Sequence, residues 1–220
     1  MTRLNPLMTI EDHFVELIRA HKHVSKEKAV ALAEESLASV RVPESRIQNY
    51  PHELSGGMRQ RIMIALALVL NPSLVVADEP TTSLDVIVEA QILEILEDLK
   101  RNYKMSLILI THNLGIVSEV CDRVAVFYAG KIVELGSVDD IFSRPIHPYT
   151  QLLLKSIIHL NTTELRSIEG VPPDLVSPPS GCRFHPRCPY AQPICHEKVP
   201  TLDEFRPGQS ASCLFGKDFL

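Results

Sequence analysis

The 220 residues are 45% apolar and 22% charged, the balance of an ordinary globular chain long enough to bury one or two cores. A formal net charge of −5 leaves no basic surplus to neutralise phosphates, which argues against a general nucleic-acid-binding role. The opening residues lack the charged and apolar regions of a secretory leader. The longest apolar run, Ile62 to Leu70, is far shorter than the ~18 residues a membrane span needs.

In chain order, residues 9 to 40 read as two helices. Thr9 is followed three residues later by Asp12, an N-terminal cap pattern, and Phe14, Leu17 and Ile18 recur at helical spacing. Ser25 opens the second helix, with Ala29, Leu32, Ala33 and Leu37 on one face, and Pro43 with the polar stretch to Asn49 closes it. A third helix is expected from Ser55 to Leu70, stopped by Asn71-Pro72. Leu74-Val75-Val76-Ala77 is a continuous apolar run ending in two acids, which predicts a strand buried on both faces. Helical period returns over 86 to 102, and a second buried strand is expected over Ser106 to Thr111. A helix near Leu114 to Val120 comes next. Strands Arg123 to Tyr128 and Lys131 to Glu134 flank a hairpin at Ala129-Gly130. This alternation predicts an α/β fold with a parallel sheet.

Beyond about residue 140 proline becomes frequent, with Pro172-Pro173, Pro178-Pro179, Pro186, Pro189 and Pro193. One further helix is expected from Tyr149 to about Leu160. The remainder reads as an irregular appendage held by its cysteines rather than by a large core. Cys182, Cys188, Cys195 and Cys213 stand in a C-x5-C-x6-C-x17-C array. Without a leader, such a clustered set points to metal before disulfides. Cys121 stands alone and reads as a core residue.

Three motifs carry chemistry. Leu54-Ser55-Gly56-Gly57-Met58-Arg59-Gln60-Arg61 is a Gly-rich turn opening a helix. Asp78-Glu79 lies at the carboxyl end of a strand, where α/β sheets place ligand groups. Asp78 there can hold Mg²⁺ and Glu79 can polarise a water. His112 ends the second strand thirty-three residues after Glu79. By themselves, a strand ending in acids and a lone histidine at a strand end are equally ordinary features of a fold. A P-loop of the form G-x-x-x-x-G-K-[ST] does not occur in these residues; the Gly-Lys pairs are Gly130-Lys131 and Gly216-Lys217, neither in that context.

Taken together, these motifs resemble the ATPase subunits of ABC transporters, and the resemblance covers essentially the whole chain. The signature is Ser55-Gly56-Gly57-Met58, Walker B is Asp78-Glu79, the D-loop is Ser83-Leu84-Asp85 and the switch histidine is His112, with Asn113 after it instead of the usual Asp. Asn49-Tyr50-Pro51-His52-Glu53 and Arg144-Pro145-Ile146-His147-Pro148-Tyr149-Thr150 resemble the oligopeptide/dipeptide importer branch. Met1-Thr2-Arg3-Leu4-Asn5-Pro6 resembles the segment just past the Q-loop glutamine there, so the chain is expected to lack the N-terminal Walker A portion.

The resemblance implies a partial P-loop NTPase (RecA-like) parallel sheet, a helical signature subdomain over 1–70, the Walker B, D-loop and H-loop part of the core over 71–140, and a Cys-bearing importer-type extension over 141–220. It implies ATP and Mg²⁺ as ligands, with Glu79 and His112 catalytic and Ser55, Gly56, Gly57, Met58, Asp78 and Asp85 binding the nucleotide or its metal. A similar cysteine quartet in relatives is associated with an iron–sulfur cluster. Zinc is the alternative, and disulfides or free thiols remain open. Implied partners are a second ABC ATPase subunit, membrane permease subunits and, indirectly, an extracytoplasmic peptide-binding protein, with no nucleic acid. The chain would sit at the cytoplasmic face of the membrane through the permease. As an alternative, it would donate only its signature to an intact paralogue. A repair-type DNA-associated ATPase is disfavoured by the acidic charge and the lack of a coiled-coil insertion. The isolated chain is expected to be inactive.

Overall fold

The computed structural model describes residues 4–82, 84–156 and 167–220. They form two compact units, Met1–His112 and Asn113–Leu220, a division that does not coincide with the boundaries at 70 and 140 expected from the motifs.

The first unit begins with three helices. Helix α1, Ile10–His21, starts at Thr9, whose hydroxyl accepts from the Asp12 N–H at 3.1 Å while the Asp12 carboxylate accepts from the Thr9 N–H at 3.0 Å. This reciprocal box satisfies two otherwise orphaned donors. It also holds the Asp12 carboxyl below its ordinary range, the Thr9 hydroxyl being the main cause. Helix α2, Lys26–Ser39, is capped by Ser25. Helix α3, Gly56–Leu68, is capped by Ser55, whose Oγ accepts from the Met58 N–H at 3.3 Å. Ile10, Phe14 and Ile18 of α1, Ala29, Ala33 and Leu37 of α2, and Ile62, Ala65 and Leu68 of α3 share one core. The small alanines admit α3, and the buried Ser36 hydroxyl donates to the Ala65 carbonyl at 2.9 Å.

Strand β1, Leu74–Asp78, helix α4, Val86–Tyr103, and strand β2, Ser106–Ile110, complete this unit. The strands are parallel, with Val76 opposite Ile108 and Asp78 opposite Ile110. This confirms the expected parallel pairing but corrects the expected burial. Both strands alternate, and Leu74, Val76, Ile108 and Ile110 are each about half exposed. Val75 and Leu107 pack against the core on the other face, with Ile92, Ile95, Leu96 and Leu99 of α4. The apolar run showed that both faces tolerate burial; among the described residues of this unit, only one face is covered.

The second unit starts with helix α5, Leu114–Val120, and then the hairpin of β3, Arg123–Tyr128, and β4, Lys131–Ser137. Short helices α6, Val138–Ser143, α7, Pro148–Lys155, and α8, Ile194–Glu197, then precede β5, Asp203–Arg206, and β6, Gln209–Ala211. The sheet order is β3-β4-β6-β5, all antiparallel. The C-terminal segment is therefore not merely an irregular appendage, because β6 extends the hairpin sheet and Phe184 is fully buried in the same core as Val124, Val126 and Tyr128. The helix expected from Tyr149 begins at Pro148; its expected continuation to Leu160 runs past residue 156, outside the described residues.

A bulge in β4 organises this unit. The register shifts between Val126 and Phe127, so consecutive residues Val133 and Glu134 both lie inside. Bulges break the two-residue alternation in this way. The fully buried Glu134 carboxylate accepts from the Ile146 N–H at 2.7 Å, the His147 N–H at 3.0 Å and the Gln209 amide at 3.0 Å. It pins the His147-Pro148-Tyr149 turn and β6 to β4.

Candidate functional site

The signature residues open α3 as expected. Ser55 caps it, Gly56 and Gly57 form its first turn, and Met58 leans on the core. Gly57 is required here for space: a Cβ at this position would lie 2.8 Å from Cγ1 of Val88. Asp85 is the N-cap of α4, and its Oδ1 accepts from the Val88 N–H at 2.9 Å. The aspartate expected to serve a nucleotide thus also holds the backbone of Val88, the residue whose side chain lies against the signature turn. Ser83, its expected D-loop neighbour, lies outside the described residues.

Asp78 ends β1, and the ladder continues one step further, with the Glu79 N–H donating to the Ile110 carbonyl at 2.9 Å. Glu79 itself turns into the left-handed region with φ 48°, a conformation costing on the order of 1–3 kcal/mol for a residue with a Cβ and concentrated at functional sites. The strain redirects the chain into the turn Glu79-Pro80-Thr81-Thr82, closed by the Thr82 N–H on the Glu79 carbonyl at 3.3 Å. Pro80 supplies the fixed φ favoured at the second turn position.

Residues Glu79 and His112, at the ends of adjacent parallel strands, meet directly: Nδ1 of His112 lies 2.7 Å from Oε1 of Glu79. Oε2 of Glu79 accepts from the Thr82 hydroxyl at 2.8 Å. The His112 contact first, and Thr82 second, hold the Glu79 carboxyl below its ordinary range, so at neutral pH it is an acceptor only. The His112 side chain is 83% exposed, open to an incoming group. Glu79 and His112 thus form a carboxylate–imidazole pair at the carboxyl ends of two parallel strands, with Asp78 the residue before Glu79 at the end of β1. Thr82 stands inside the Pro80–Asp85 run, yet nothing in the sequence marks it as a partner of Glu79.

In the second unit Cys182, Cys188, Cys195 and Cys213 all line one largely apolar pocket with His147, Phe184, His185 and Phe215. Gly181 makes the approach possible. It has φ +63°, and a Cβ there would meet the Cys195 carbonyl at 2.4 Å, while the Cys182 N–H donates to that same oxygen at 2.9 Å. Burial raises the Cys182 and Cys188 thiols and lifts Cys213 to about 11. Among the described residues, however, no three His, Cys, Asp or Glu side chains form a ready ligand set. The four thiols share a wall, which suits the donor chemistry of a soft metal or cluster, but they are not drawn together into a coordination sphere. All five cysteines are free thiols. Cys121 ends α5 and packs on the second core, as its isolated position suggested. No helix among the described residues is long and apolar enough to cross a membrane.

Comparison with known proteins matches residues 1–82 to an ABC transporter model and residues 133–195 to the C-terminal region of oligopeptide/dipeptide transporters. A probable peptide ABC transporter ATP-binding protein of Sinorhizobium fredii is 49% identical over 97% of this chain and 65% of its own length. The oligopeptide transport ATP-binding protein OppD of Salmonella typhimurium is 46% identical, over 97% of this chain and 64% of its own. The dipeptide transport ATP-binding protein DppD of Bacillus subtilis is 50% identical, over 91% and 61%. The chain therefore spans less than two thirds of the length of these relatives. Among solved structures, the dimeric bacterial ABC transporter cassette MJ0796 aligns with a TM-score of 0.55 at 28% identity, covering 62% of this chain and 59% of that one.

Proposed function

We infer, for a chain that belongs to the ABC transporter ATP-binding proteins of the oligopeptide/dipeptide importer type, that it contributes the signature and the hydrolytic residues of an ATPase energising peptide import. The observation that carries this reading is the 2.7 Å contact of Glu79 and His112 beside Asp78 at the ends of β1 and β2. Hydrolysis of ATP needs a water held in line with the γ-phosphorus and a means of stabilising the charge on the transferring group. In this reading Glu79, kept ionised, accepts a hydrogen bond from the attacking water. His112 turns from Glu79 toward the γ-phosphate, and Asp78 would hold Mg²⁺, which would supply neutralisation of the phosphate charge. Ser55 and the first N–H groups of α3 face a nucleotide carried by a second ATPase subunit. Permease subunits and a peptide-binding protein are the implied partners, and the cytoplasmic membrane face the implied location.

The test is peptide uptake and ATP turnover in membrane vesicles holding a transporter assembled with this chain. Glu79→Gln is expected to abolish turnover while ATP binding survives, and Ser55→Ala to impair turnover. Loss with the Ser55 change alone would instead support the reading in which the chain lends only its signature to a paralogue.

The thiol-lined pocket supports an added role in holding a metal or an iron–sulfur cluster through Cys182, Cys188, Cys195 and Cys213, with zinc as the alternative. Ligation must displace the thiol protons, so uptake is expected to strengthen as pH rises. Metal analysis and visible absorbance of anaerobically purified chain test this, with Cys188→Ser expected to lower the content.

A further inference from the structure

We propose that Thr82 is a positioning residue for the Glu79 carboxylate, an inference that rests on the ATPase reading and deepens it. A glutamate carboxylate turns freely about its last torsion, whose profile is broad and roughly two-fold. One donor leaves it free to pivot, whereas two donors on different oxygens fix its plane. Here His112 takes Oε1 at 2.7 Å and the Thr82 hydroxyl takes Oε2 at 2.8 Å. The two donors are not equivalent. His112 arrives from another strand and, in the proposed mechanism, leaves Glu79 to meet the γ-phosphate. Thr82 is tied to Glu79 by the turn itself, through its own N–H on the Glu79 carbonyl at 3.3 Å, and the adjacent Thr81 is buried and anchors that turn. When the imidazole departs, Thr82 is the contact that remains, and it keeps the Oε1 edge turned toward the vacated space where a water would enter.

The location also separates this role from simple turn stability. Thr82 is exposed, so removing its hydroxyl strands no buried polar group, and solvent can replace it on Oε2 in every respect except orientation. A misplaced reacting group costs rate rather than affinity, so the expected signature is a loss confined to kcat.

The experiment compares Thr82→Val, which keeps the shape and loses the donor, with Thr82→Ser, which keeps the donor. ATP turnover is measured in vesicles carrying the assembled transporter. Thr82→Val is expected to lower kcat about tenfold and to leave KM for ATP within about twofold. Thr82→Ser is expected to restore kcat. An unchanged kcat in Thr82→Val overturns the assignment of Thr82 alone. A Thr82→Ser variant as impaired as Thr82→Val overturns it too, because the donor is then not what matters. No ATP turnover in vesicles with the unaltered chain overturns the ATPase reading and the assignment with it.

Discussion

Gly57 of the signature turn and Val88 of α4 are packed so closely that a single methyl group on the first would stand 2.8 Å from Cγ1 of the second. Val88 is β-branched and stiff, and its N–H is held by Asp85, so it cannot easily yield. Gly57→Ala is expected to cost about 1–3 kcal/mol through overpacking. Val88→Ala in the same chain should return much of that loss, giving a coupling of at least about 1 kcal/mol in a double-mutant cycle read by urea unfolding. Additive losses would mean that the contact does not constrain the signature turn.

Glu134 offers a contrasting case, a buried carboxylate whose partners are three neutral donors. Glu134→Ala leaves those donors unsatisfied and is expected to destabilise the second unit by about 3 kcal/mol. Glu134→Gln retains the shape but turns an NH₂ group on the donors facing one carboxylate oxygen, and about 1–2 kcal/mol is expected. Hydrogen exchange at the Ile146 and His147 amides should accelerate in both.

His147 is buried, and burial lowers its imidazole to about 4; Nδ1 accepts from the Tyr149 N–H at 3.0 Å. The folded state therefore keeps the ring neutral where the unfolded chain, with the ordinary value of about 6.5, takes up a proton. Stability is full above about pH 6.5 and is lost as pH falls toward 4, reaching about 3 kcal/mol in total and about 2 kcal/mol by pH 5. Chemical unfolding at pH 7 and pH 5 checks this, and His147→Phe should flatten the difference.

The raised Cys213 thiol has a chemical consequence. At pH 8 a thiol near 11 holds on the order of a hundredfold less thiolate than an ordinary cysteine, so iodoacetamide should modify Cys213 of metal-free chain correspondingly slowly. Mass spectrometry of timed samples reads this, and a rate like that of a free cysteine would contradict the buried setting.

A polypeptide of these 220 residues by itself contains no P-loop run to cradle the β- and γ-phosphates. Its affinity for ATP is expected to be weaker than micromolar, as measured by binding of labelled nucleotide. Micromolar binding would show that the signature and Walker B residues suffice.

What the sequence disclosed was local. Thr9 with Asp12, Ser25 and Ser55 announced three helix starts because a cap is written within four residues. Ala129-Gly130 announced a hairpin for the same reason. Glu79 and His112 were legible as a pair only through their motif spacing, since nothing in either strand alone says which partner it takes. Glu134 stayed hidden because a bulge moved it inward, against the alternation a strand reading assumes. Strand β6 stayed hidden because three residues, Gln209–Ala211, carry no period, and their pairing with β4 spans more than seventy residues of chain. Thr82 went unremarked because a hydroxyl in a turn is ordinary until the carboxylate it meets is seen.

The parallel register of β1 and β2 acts as a ruler for the candidate site. Asp78 stands opposite Ile110, and Glu79 and His112 lie just past that same rung. Length changes in α4, or in the loop before β2, leave this rung untouched. A single residue inserted within either strand would displace one partner by about 3.3 Å and turn it to the other face. Insertions and deletions should therefore be tolerated over roughly 100–105 and rejected over 74–79 and 106–112, a pattern that deep insertion scanning would reveal without reference to any ligand.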